Sequence, residues 1–247
     1  MKSFVYQIVT KKLENLRICT LIVLCALAVC LVMERTAVAP ADAQGGALSG
    51  MTIAVDPGHG GYDGGARARD SGRWEKELTL EIALKVEQAL EARGARVVLT
   101  RREDVCLSDG DTATKARKRA DLQRRLDIAD EAGADVFLSI HLNEYRDRAE
   151  SGPQVLYQKG GDAGRLLAGV LQQALIDGLD PQKQRRAMAG DYYVLRGKLP
   201  SALVECGFLS NAREEKLLMD AAYQNRIAQA VADGLENYAN CRQRLEK

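Results

Sequence analysis

Histidine is scarce in this chain: His59 and His141 are the only two among 247 residues, so any imidazole chemistry falls on them. Net charge is nearly absent too. Thirty-five basic and 34 acidic residues leave +1, and no global charge argues for nucleic acid as a partner. Of the six cysteines, Cys19, Cys25 and Cys30 sit in one apolar run and act there as small hydrophobes. The remaining three, Cys106, Cys206 and Cys241, are odd in number and far apart, which excludes a disulfide framework. No C-x-x-C pair occurs, which speaks against cysteine-ligated zinc. The one glycine-rich loop carries neither G-x-G-x-x-G nor a Walker lysine, so a nucleotide site has little support. Internal repeats and a second globular domain are missing as well.

What is present is an ordinary globular composition, 46 % hydrophobic and 28 % charged, in a length that suits one domain plus a small extra segment. The extra segment is N-terminal. "ICTLIVLCALAVCLVM", residues 18–33, is an uncharged run of 16 residues behind Lys11, Lys12 and Arg17, and Glu34 and Arg35 end it. It falls a little short of the ~20 residues that cross a bilayer core. It also lacks the polar face of a helix packed on a soluble core. The expectation is an N-terminal hydrophobic helix that acts as export signal or membrane anchor, with its basic flank in the cytoplasm and the rest outside. Ala37-Val38-Ala39 and Ala41-Asp42-Ala43 are small-x-small sites open to a signal peptidase, so cleavage and retention both stay open. Residues 1–44 are assigned to this segment and its linker, and 51–240 to the globular domain.

From Met51 the pattern becomes regular. "TIAVD", "ARVVLT", "DVFLSIH", "PQVLYQ", "DYYVL" and "SALVECG" read as strands. Leu78, Ile82, Val86 and Leu90 recur every four residues in a helix that Gly94 closes. Helices also read from "ARKRADLQRRLDIADEAGA" and "GRLLAGVLQQALIDGL", and two more follow around 213–219 and 221–239. Strands alternating with helices predict an α/β fold: one domain, a mainly parallel twisted sheet of about six strands, helices on both faces.

In such a sheet, ligands gather at the carboxyl ends of the strands. His59 follows the first strand across a Pro-Gly turn and His141 ends the third, so the two can meet. Glycines at 58, 60, 61, 64 and 65 permit an irregular loop around His59. Two histidines point to a metal, and hydrolytic zinc takes three protein ligands, such as two His and one Glu, leaving a place for water. Glu75 and Glu77 in "RWEKEL" are candidates for the third; two apart on a helix start, only one can face the site. Glu205 ends the apolar strand "ALVECGF", where a bare carboxylate is costly to bury, and it is the candidate general base. Asp56 and Asp63 are candidates to orient the histidines, or simply turn residues.

"IAVDPGHGGYDGGA", "EKELTLEIAL", "ARVVLTRREDVCL", "ADVFLSIHLN" and "PSALVECGFLSNAREEKLL", in that order, resemble the zinc-dependent N-acetylmuramoyl-L-alanine amidases of the amidase-3 type, over Met51 to Tyr238. The resemblance implies one Zn²⁺ held by His59, Glu75 and His141, and a catalytic Glu205. It thus prefers Glu75 to Glu77. Arg125, in "DLQRR", corresponds to a family arginine near the site, with a role in substrate binding or in structure. The implied reaction is hydrolysis of the amide between N-acetylmuramic acid and L-alanine in peptidoglycan. "DLQRR" and "SIHLN" are most similar to the germination-specific branch, which strips stem peptides from spore cortex as a step towards muramic-δ-lactam. The alternatives are a general vegetative wall amidase and an inactive, membrane-anchored wall-binding module. A zinc carboxypeptidase or sugar deacetylase has other motif spacings. Cys206 departs from the aliphatic residue usual in the family and is expected to point into the core. Only eleven residues separate His141 from Pro153, too few for the long helical insertion with which some members block their own site. No appended wall-binding module is visible, and control by a partner protein stays open.

Overall fold

The computed structural model describes residues 46–110 and 113–245. The run at 18–33, and with it the expected signal or anchor helix, lies outside the described residues. Among the described residues no helix is long and apolar enough to cross a membrane.

Six strands form one sheet: β1 (Thr52–Pro57), β2 (Arg96–Leu99), β3 (Val136–Asn143), β4 (Gln154–Gln158), β5 (Met188–Gly190) and β6 (Ser201–Phe208). Five helices accompany them: α1 (Glu75–Glu91), α2 (Lys115–Glu131), α3 (Asp162–Leu179), α4 (Ala212–Leu218) and α5 (Ala221–Leu245). The strand order is β2-β1-β3-β6-β4-β5. β2, β1, β3 and β6 run parallel, whereas β4 lies antiparallel to β6 and carries β5 parallel to itself. Four of the five pairings are parallel, as expected of a mainly parallel sheet, and the antiparallel pairing of β4 with β6 makes it mixed. The cause is local: residues 144–153, between β3 and β4, contain no helix. A parallel return needs a crossover of about a dozen residues or more, usually helical.

Side chains alternate across the strands and sort the core into two clusters. Ile53, Val55, Leu138, Ile140, Ala202 and Val204 face one way, onto Leu78, Ile82, Val86 and Leu90 of α1 and onto apolar residues of α3 and α5. Ala54, Phe137 and Leu203 face the other way, onto Leu126 and Ala129 of α2. The residues read as a strand over 191–195 instead make a 3-10 turn at Tyr193–Leu195. Val194 and Leu195, adjacent in sequence, are both buried in this second cluster. Strand alternation would send one of them to the opposite side. Cys206 is fully buried in the first cluster, as expected, and burial raises its thiol well above the usual range.

The same alternation places Asp56, Ser139, His141 and Glu205 on the α2 side of the sheet, towards its carboxyl edge. Thr114 caps α2 by accepting a hydrogen bond from Arg117 N, and so fixes where that polar helix begins above this edge.

Candidate metal centre

Three side chains converge at the carboxyl ends of β1 and β3. Candidate ligand atoms of His59, Glu75 and His141 all lie within 4.8 Å of one another. Glu75 Oε1 is 3.1 Å from His59 Nε2 and 3.0 Å from His141 Nδ1. The two rings stand edge to face, centroids 4.8 Å apart. Glu75 opens α1 and is fixed by two backbone amides: Leu142 N donates to Oε1 (3.0 Å) and Ala66 N to Oε2 (2.9 Å). Glu77, the alternative that spacing left open, turns away to pair with Arg73 at 3.0 Å. Burial pushes the Glu75 carboxyl up, but His141 and His59 outweigh that and hold it far below the usual carboxylate range.

His59 is held from behind. Its Nδ1 lies 3.0 Å from Asp63 Oδ1, at an angle poor for a straight hydrogen bond, and Asp63 is paired in turn with Lys118 at 3.1 Å. Burial pulls His59 down, yet the Asp63 and Glu75 carboxylates prevail and bring it up to about 9. Asp56, the other candidate to orient a histidine, does not do so. It is buried and accepts from Thr100 Oγ1 (2.6 Å), Ser139 Oγ (2.6 Å) and Arg125 Nη1 (2.7 Å).

The loop at His59 is strained and braced. His59 has φ +63°, in the left-handed region that costs a non-glycine residue about 1–3 kcal/mol. Two buried arginines grip the carbonyls around it. Arg125 donates to Pro57 O (2.9 Å) and His59 O (2.6 Å), and Arg101 to Pro57 O (2.9 Å) and Gly58 O (2.9 Å). With its bonds to Asp56 and to Asp121 (2.8 Å), Arg125 commits four of its five N–H groups to the chain itself. Its guanidinium is 1 % exposed. Nothing in composition or periodicity singled out Arg101; the only signal was a charged residue directly after the apolar run "VVLT".

Two glycines make room for the ligands. A Cβ on Gly58 would lie 2.3 Å from His141 Cε1, and one on Gly65 (φ +68°) 2.5 Å from Glu75 Oε2. Gly58→Ala should therefore displace His141 and weaken metal binding at this centre about 10- to 100-fold, the usual cost of disturbing a ligand's support. A competition titration against a chromophoric chelator measures it. Arg125→Met leaves Asp56 and Asp121 buried without their cation. It should cost about 3–5 kcal/mol, read as a lowered midpoint in urea or heat.

Glu205 stands beside His141 in the register of β3 and β6. Its Oε2 is buried without a hydrogen-bond partner among the described residues. Burial, with the Glu75 carboxylate nearby, pushes it up to about 8. Two carboxyl groups and two imidazoles facing one space, with an unpartnered oxygen among them, is a donor set suited to a divalent cation. A cation bound there would lower the Glu205 carboxyl again. A cavity of about 120 Å³ opens beside His59 and His141, bounded on its outer side by Tyr192 and Tyr193.

A profile of the N-acetylmuramoyl-L-alanine amidase family matches residues 53–237. The chain belongs to this family. It is an N-acetylmuramoyl-L-alanine amidase, a peptidoglycan hydrolase. The germination-specific N-acetylmuramoyl-L-alanine amidase of Bacillus subtilis is 35 % identical over 193 residues, 77 % of this chain and 81 % of that protein. The amidase LytC of the same organism is 36 % identical over 191 residues, which cover 76 % of this chain but 36 % of LytC. Among solved structures, the CwlD amidase of Clostridioides difficile, determined in complex with the GerS lipoprotein, superposes with a TM-score of 0.74 at 36 % identity, covering 77 % of this chain and 99 % of that one. The amidase fold ends at the sheet edge where all four candidate residues lie. Arg125 meets the site through the His59 loop.

Proposed function

We propose that this amidase is a zinc enzyme whose metal is held by His59, Glu75 and His141, with Glu205 as general base and acid. The observation that carries the reading is the convergence of those three donors beside the unpartnered, buried oxygen of Glu205. Zinc, when bound, supplies a Lewis acid that polarises the scissile carbonyl and acidifies water. The remaining work falls to the chain. Glu205 Oε2 accepts the proton of the attacking water and passes it to the departing amine of L-alanine. Asp63 keeps His59 turned so that Nε2 points inward. Arg125 and Arg101 hold the carbonyls of residues 57–59 and keep the strained loop in place, so that Arg125 serves substrate indirectly. Tyr192 and Tyr193 cover one side of the reacting centre and limit access of bulk water.

The substrate we assign is spore-cortex peptidoglycan, from which stem peptides are removed towards muramic-δ-lactam. Similarity to the germination-specific relative along four-fifths of its length supports this. The protein acts outside the cytoplasm, delivered by the apolar segment at 18–33. The GerS complex of the CwlD relative supports docking of a partner protein here too. Purified cortex and vegetative sacculi, offered separately at equal stem-peptide content, test the assignment. Faster release of peptide from cortex is expected. Equal rates would contradict the cortex role and favour a general wall amidase, as similarity to LytC suggests.

A further inference from the structure

The segments that flank two of the site residues in sequence wall a cavity of about 700 Å³: the loop at 67–72, just before Glu75, and residues 144–148, just after His141. Four arginines, Arg67, Arg69, Arg146 and Arg148, line it against two acids, Asp70 and Glu144. Arg67 is settled, with Nε donating to Gly72 O (2.9 Å) and its guanidinium 5.3 Å from the Trp74 ring. The side chains of Arg69, Arg146 and Arg148 have no ion-pair or hydrogen-bond partner among the described residues, and neither acid is paired to them.

The walls are anchored although three of their arginine side chains are free. The start of α4 does this through Glu215 and Asn211, while Glu214 holds segments next to the cleft. Glu215, 2 % exposed, accepts from Asp70 N (3.0 Å) and Ser71 N (2.8 Å). Glu214, 8 % exposed, accepts from Gly152 N (2.7 Å) and Phe208 N (2.8 Å). Asn211 Nδ2 donates to Arg148 O (2.9 Å), and Tyr145 N donates to Ser210 Oγ (3.0 Å). One helix start thus fixes both sides of the cleft, and the arginines project from held backbone.

A series of neighbouring cavities leads from the cleft towards the catalytic edge. The cleft shares Tyr145 with a neighbouring cavity of about 450 Å³, which in turn shares Tyr192 with the small cavity at His59 and His141. From His141 to Arg146 the chain spans five residues, at most ~18 Å extended. A bound peptide covers the same distance in the few residues that follow its scissile bond. Four arginines against two acids leave the cleft an excess of positive charge, which attracts anions, and planar guanidinium groups suit carboxylates best.

We propose that this cleft binds the carboxylates of the stem peptide that leaves the scissile amide, so that the enzyme selects anionic stems. The inference rests on the amidase reading of the metal centre. Two synthetic muramyl peptides test it, identical in sequence, one with free carboxylates and one with every carboxylate amidated. The parent enzyme should show a KM roughly 10-fold lower for the free acid, with kcat within about two-fold, as one or two charge-assisted bonds would give. That preference should shrink as salt rises and collapse in Arg146→Gln/Arg148→Gln. Equal KM values for the two peptides in the parent would overturn the cleft assignment and leave the amidase standing. So would a double variant that melts like the parent and keeps the full preference. Should that variant not fold, Arg69→Gln on the opposite wall must lower the preference, and an unchanged ratio counts against the cleft. If the parent cleaved neither peptide, the amidase reading itself would fall.

Discussion

Glu205→Gln is expected to retain zinc at one ion per chain and to lose about 10²- to 10⁴-fold in kcat, the range that a general acid–base residue contributes. Glutamine has nearly the same shape, so the alternation of β6 and the packing of Cys206 beneath it are undisturbed. His59, Glu75 and His141 keep their mutual distances, because none of their bonds passes through Glu205. What disappears is a carboxylate that can hold a proton. Oε2 has no hydrogen-bond partner among the described residues, so none of them is positioned to take over. Metal content and turnover of a soluble muramyl peptide, measured on one preparation, separate the two functions. Turnover at the parent rate would show that the base has been misassigned.

His141→Ala attacks the other half of the site. Zinc sites in peptides are worth about 10–16 kcal/mol over four ligands, so one ligand carries roughly 3–4 kcal/mol, or about 10²- to 10³-fold in affinity. The variant should therefore lose its metal during purification and fall to background activity. The cavity left in place of the ring is small and opens to solvent, so the fold should survive. Glu75 Oε1 keeps its bond from Leu142 N and its contact with His59. Undiminished zinc in the purified variant would remove His141 from the ligand set. Gly58→Ala should give a weaker version of the same result, because a methyl group there meets the His141 ring.

Much of this arrangement is legible in the sequence. His59 and His141 lie directly after apolar strands, and parallel sheets collect their functional groups at that edge, so the pair could be placed from pattern alone. Glu205 was legible for the same reason: a carboxylate closing an apolar strand needs a purpose. Spacing could not choose between Glu75 and Glu77, since both sit in the first turn of one helix. The decision depends on the Leu142 and Ala66 amides, which come from other segments. Arg101 and Arg125 were illegible as a pair because they grip main-chain oxygens, and a carbonyl leaves no mark in sequence. The direction of β4 and the turn at Tyr193–Leu195 escaped for a related reason. Both follow from connection length and from which face Val194 and Leu195 must cover, not from local propensity.

The bond that is cut is the decisive observable. Zinc-loaded protein from residue 45 onward, incubated with purified peptidoglycan, should release stem peptides whose new N-terminus is L-alanine and leave N-acetylmuramic acid with a free lactyl carboxyl, as mass spectrometry resolves. Fragments cut in the glycan, peptides shortened from their far end, or free acetate with the stems still attached would contradict it.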